Sequence, residues 1–111
     1  MVTTRTTSKV TTLSASDKKL ITKLGEAWQL DTKQSKLTGT FHFSRYLDAF
    51  MFVTRVSVHA EVQKIYPEIT LTETSVTILL TNGTKKPVPT TLIQFASRIQ
   101  QLFLSTPHHQ A

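Results

Sequence analysis

The side chains able to move a proton or hold a metal are few: four histidines, seven aspartates and glutamates, and no cysteine. Without cysteine there is no disulfide, no thiolate nucleophile and no sulfur-ligated zinc. A pair of histidines backed by a carboxylate would suit acid–base catalysis or metal binding. The four histidines do not form such a set: His42 falls on the polar face of a strand, His59 on a helix, and His108 and His109 in a terminal tail. Gly25, Gly39 and Gly83 are isolated, which excludes a glycine-rich phosphate loop, and no serine elbow occurs. Neither a metal nor a cofactor is expected.

The net charge of +6 favours an acidic partner. Its distribution narrows the choice. Arg5 and Lys9 lie near the start, Lys18, Lys19 and Lys23 on a first helix, and Lys85 and Lys86 in a loop, with no arginine block or basic stripe interleaved with aromatics. That scatter does not point to nucleic acid. No apolar run approaches the roughly 20 residues needed to span a bilayer, so no membrane role is expected. A cysteine-free chain fits a reducing compartment, and the cytoplasm is the expected location.

At 111 residues the chain is the size of one domain with one core. Residues 1–12, MVTTRTTSKVTT, hold six threonines and no acid and read as a flexible arm without the apolar centre of a secretory signal. A helix is expected from Ser14 or Ser16, with Leu20, Ile21 and Leu24 on its apolar stripe and Gly25 as its stop. Trp28 and Leu30 alternate with Gln29 and Asp31, predicting a strand over Ala27–Asp31. From Lys36 to Phe43 strict alternation predicts a strand with Leu37, Gly39, Phe41 and Phe43 on its buried face.

A central helix is expected from a Ser44 cap to about Lys64, ended by Tyr66 and Pro67. Its three-and-four spacing gives a buried face of Tyr46, Ala49, Phe50, Val53, Val56 and Ala60, leaving Met51, Phe52 and Val58 for a subunit contact. Two strands follow, Ile69–Thr72 and Ser75–Thr81, then a last helix capped by Thr90 or Thr91 and running to about Leu104. The fold class is α+β, in the order helix-strand-strand-helix-strand-strand-helix, with a four-stranded, mainly antiparallel sheet and helices packed on one face. Residues 13–104 form one domain and residues 105–111 a flexible tail. The open sheet edges and the doubly apolar helix both suggest a homodimer, or a tetramer.

The run FHFSRYLDAFMFVTRVSVHAE resembles the centre of the pterin-4a-carbinolamine dehydratases, where a phenylalanine-rich strand leads to a helix carrying Phe-x-Thr-Arg-Val and Ala-Glu. Here those residues are Phe52, Thr54, Arg55, Val56, Ala60 and Glu61. The resemblance extends from about Leu13 to Leu104. In that family adjacent histidines before Pro-Glu-Trp, with a third histidine beyond, serve as acid and base in dehydrating a carbinolamine pterin. The paired positions here are Ile65 and Tyr66. Pro67 and Glu68 match, Ile69 replaces the tryptophan, Gly83 the third histidine, and Leu92 the aspartate at the start of the last helix.

A positioned acid or base supplies typically ~10²- to 10⁴-fold in rate, and isoleucine or glycine can transfer no proton. The resemblance thus implies a pseudoenzyme with no catalytic residues and no pterin cofactor chemistry. It also implies a role, since a degenerate branch of the family, encoded with α-carboxysome components, acts as an assembly factor for ribulose-bisphosphate carboxylase (Rubisco). A protein partner, Rubisco subunits, and association with the carboxysome are the corresponding expectations. Candidate contacts are Glu61, Ile65, Tyr66, Pro67, Glu68, Ile69, Gly83 and Leu92, with Lys85 and Lys86 as basic contacts. The alternatives are an active dehydratase with an unorthodox site, or a transcriptional coactivator or dimerisation cofactor.

Overall fold

The computed structural model describes residues 15–31, 35–81 and 88–106. Expectations for the N-terminal arm, for Gly83, Lys85 and Lys86, and for His108 and His109 fall outside them. The elements are α1 (Ala15–Leu24), β1 (Trp28–Leu30), β2 (Lys36–His42), α2 (Tyr46–Gln63), β3 (Glu68–Thr72), β4 (Ser75–Thr81) and α3 (Thr90–Ser105). Their order is the α+β order anticipated, and the sheet runs β1-β2-β4-β3 with every pair antiparallel.

Register explains the two faces of the sheet. Trp28 pairs with Gly39, Gly39 with Ile78 and Ile78 with Ile69, so one face carries a continuous apolar row, and Phe41, Val76 and Leu71 form the next. The opposite face presents Thr40, Thr77 and Thr70, then His42, Ser75 and Thr72. Helices α2 and α3 cover the apolar face, with α1 packed on α3. Four phenylalanines meet there: Phe41 lies 5.2 Å from Phe52 and 4.9 Å from Phe103 between ring centroids, and Phe43 lies 5.2 Å from Phe52.

The buried stripe of α2 differs from the expected one. Ala49, Phe52, Val56 and Ala60 are buried, Val53 is half-buried, and Tyr46 and Phe50 stand 57% and 49% exposed. At about 100° per residue, Phe52 lies about 60° to one side of Ala49 and Tyr46 about 60° to the other, so spacing alone cannot choose between them. Phe41, Phe43 and Phe103 supply ring partners on the Phe52 side. Phe52, expected at a subunit contact, is instead wholly buried in the core.

Helix ends also depart from expectation. Ser44 does not cap α2: Arg45 is the N-cap with no side-chain cap bond, and its guanidinium clips Asp48 at 3.0 and 3.1 Å. That pairing raises the pKa of Arg45, by hydrogen bond first and charge second. At the other end Lys64, not Pro67, stops the helix by entering the left-handed region at φ 58°, and the Ile65 amide closes onto the Ala60 carbonyl at 3.1 Å. Helix α3 has Pro89 as N-cap. The Thr90 hydroxyl, expected to cap it, donates to the Asp17 carboxylate of α1 at 2.9 Å.

Gly25, with φ 99°, ends α1 as anticipated. Beyond β1, Asp31 holds the return into β2 by accepting from the Ser35 amide at 2.8 Å and the Lys36 amide at 3.0 Å. Thr106 follows α3, buried, with its hydroxyl donating to the Leu102 carbonyl at 2.6 Å.

Candidate functional site

The left-handed turn at Lys64 sets Ile65 beside the first turns of α3. Between them lies a cavity of about 400 Å³ lined by Gln63, Ile65, Thr91, Gln94, Phe95 and Arg98. Phe95 is buried and Ile65 half-buried, forming an apolar floor, while Gln63, Thr91, Gln94 and Arg98 are exposed around it. On α3 the residues Thr91, Gln94 and Arg98 fall three and four apart, on one face of the helix. The opposite stripe, Leu92, Ala96, Ile99 and Phe103, is buried in the core, which fixes the rotation of α3 and hence the direction of the polar face.

The lining suits recognition. Glutamine amides donate and accept, a threonine hydroxyl does both, and arginine offers five donors in a planar fork. Among the described lining residues there is no carboxylate and no imidazole.

Of the residues singled out in the sequence, Ile65 lines this cavity. Leu92 is buried in the core, and Ile69 packs against the core from β3. Tyr66 is 67% exposed; Glu61 and Glu68 are exposed and Pro67 half-buried. Gly83, Lys85 and Lys86 lie outside the described residues. Gln63, Thr91, Gln94, Phe95 and Arg98 were not anticipated. The one signal for Thr91, Gln94 and Arg98 was the polar face of α3, which reads in sequence as an ordinary solvated surface.

The described histidines are kept apart by the architecture. His42 is exposed on the outer sheet face, lining a second cavity of about 330 Å³ with Glu26, Gln29 and Thr40. His59 is half-buried on α2. Among the described residues no group of three histidine, aspartate or glutamate side chains is placed to hold a metal ion, and no helix is long and apolar enough to cross a membrane.

No curated protein sequence matches this chain. Solved structures do. A transcriptional coactivator/pterin dehydratase from Brucella melitensis superposes with a TM-score of 0.69 at 21% identity, over 82% of this chain and 97% of that one. A pterin dehydratase-like protein identified as a RuBisCO assembly factor in the α-carboxysome superposes with a TM-score of 0.62 at 24% identity, over 71% of this chain and 92% of that one. At these identities the likeness establishes the shared fold. The sequence profile of pterin 4 alpha carbinolamine dehydratase matches residues 8–102, nearly the whole domain, and the chain therefore belongs to that family.

Proposed function

We propose that this chain is a catalytically inactive member of its family that works as a homo-oligomeric, protein-binding assembly factor, with Rubisco of the α-carboxysome as its client. The observation that carries the reading is the chemistry at the end of α2. Where the family resemblance calls for histidines, the chain has Ile65 and Tyr66, and the cavity beside them is walled by Ile65, Phe95 and neutral or cationic polar side chains. Leu92, at the position of the family's aspartate, is buried in the core.

Tyr66 is the one proton-bearing group left at those positions, and a single exposed phenol does not replace a paired acid and base. A fold that keeps its scaffold without its acid–base pair retains surfaces, and these surfaces suit protein contacts. α2 exposes an apolar face, and the net charge of +6 complements an acidic partner. The structural likeness to a RuBisCO assembly factor supports the choice of client, and the expected location is the cytoplasm and its carboxysomes.

Two measurements test the reading. Purified protein is mixed with freshly generated carbinolamine pterin, and the expected rate is the spontaneous one. Turnover well above it, abolished in Tyr66→Phe, would establish an active dehydratase instead. Co-expression with both Rubisco subunits is expected to raise holoenzyme yield and to co-purify a complex; unchanged yield without a complex would remove Rubisco as the client.

A further inference from the structure

The cavity at the end of α2 is one half of a longer feature. On the other side of Gln94 a further cavity, of about 190 Å³, is lined by Leu20, Lys23, Leu24, Ile93, Gln94 and Ser97. Gln94 lines both hollows, so the two adjoin across the exposed face of α3. Each has the same make-up, an apolar floor with one exposed cation: Ile65 and Phe95 with Arg98, and Leu24 and Ile93 with Lys23. Neither cation has an ion-pair partner among the described residues, where the ion pair formed is Arg45 with Asp48. Asp17, the carboxylate at the head of α1, accepts the Thr90 hydroxyl.

We infer that this double hollow across α3 is a docking groove for an acidic, extended peptide segment of a partner protein, an inference that deepens the protein-binding reading above. Alternate side chains of an extended segment point the same way, so two apolar residues of one segment can enter the two hollows. Acidic residues beside them meet Lys23 and Arg98, and the Gln94 amide between can pair with peptide N–H and C=O groups. A small anion would use the cations and leave both apolar floors empty. Single-stranded nucleic acid would want an exposed aromatic for stacking, and the groove's aromatic, Phe95, is buried.

The test uses the full chain, isotope-labelled for amide NMR and titrated with an N-acetylated, C-amidated peptide of sequence Asp-Glu-Leu-Glu-Leu-Asp-Glu. Expected shifts cluster on Leu20, Lys23, Ile65, Gln94, Ser97 and Arg98. Affinity should fall about tenfold in K23E/R98E and weaken with added salt, while Tm is unchanged. Lys23→Gln with Arg98→Gln removes the charges without reversing them and serves if the reversal disturbs the fold. Shifts elsewhere, no binding, an affinity indifferent to both variants, or equal occupancy of the groove by inorganic phosphate or a DNA oligonucleotide would each overturn the inference. Rubisco capture by the same variants separates the two readings. Retained capture by K23E/R98E removes the groove and leaves the client; peptide binding without any capture by the parent chain removes the client and leaves the groove.

Discussion

The Trp28 indole lies across Gly39 so closely that a Cβ at Gly39 would sit 2.9 Å from three ring atoms. The two residues are paired between β1 and β2. The ring has little room to retreat: it meets Phe41 edge-on at 5.6 Å, and its Nε1–H donates to the Gln100 Oε1 of α3 at 3.0 Å. Gly39→Ala must therefore displace the tryptophan, and overpacking of this kind costs about 1–3 kcal/mol. The expected thermal shift is a fall of about 4–8 °C per kcal/mol. An unchanged urea midpoint and an unchanged tryptophan emission spectrum would show that the ring moves freely.

Two phenylalanines of α2, two positions apart, should behave oppositely. Phe52 packs against Phe41, Phe43 and Phe103, and Phe52→Ala is expected to cost about 3–5 kcal/mol. Phe50 is half in solvent, and Phe50→Ala should change the stability of the monomer by about 0.5 kcal/mol or less. Denaturant titrations of the pair settle the rotation of the helix. Comparable losses in both variants would contradict the observed packing.

That pair also marks how far the sequence could be read. Strict alternation over Leu37–Phe43 admits one buried face, and Gly25 one helix stop, so element order and sheet polarity were legible. The choice between the Phe52 and Phe50 shoulders of α2 was not, because both fit the helical period and the deciding rings come from β2 and α3. Thr90 was misread as a cap because its partner, Asp17, lies 73 residues away. Ile65 was reachable through the family motif, whereas Gln94 and Arg98 look like any solvated helix face until α1 and α2 are set on either side of them.

Asp31 gives the described part of the chain an acid-sensitive joint. Its carboxylate accepts the Lys36 amide at 3.0 Å, the Ser35 amide at 2.8 Å and the Ser35 hydroxyl at 3.3 Å. The Lys36 amide is the largest cause holding its pKa below the ordinary 3.8, against an opposing contribution from desolvation. A folded-state pKa below the unfolded one means that the stabilisation is present above the unfolded value and is lost as pH falls through the folded one. Asp31→Asn should therefore be less stable than the parent at neutral pH, with the gap closing as the solution is acidified past the ordinary carboxylate range. Urea midpoints measured across that range check it, and a gap of constant size would contradict a role for the ionised carboxylate.

The face of α2 turned away from Ala49 and Val56 carries Leu47, Met51, Val58 and Val62, with Met51 47% and Val58 58% exposed. An isolated domain gains nothing by presenting four aliphatic side chains along one helix stripe, whereas two copies could bury the stripe against each other. Sedimentation velocity of the parent chain is expected to give a dimer or larger species. Met51→Glu with Val58→Glu would place charges in such a contact, at a cost of several kcal/mol per unpaired ion, and should yield a monomer with an unchanged circular dichroism spectrum. The edge of β3 offers a different route to pairing, through backbone hydrogen bonds that these substitutions do not touch. A dimer that survives the double substitution therefore belongs to the sheet edge, and a parent chain that remains monomeric at high concentration leaves the α2 stripe to a partner of another sequence.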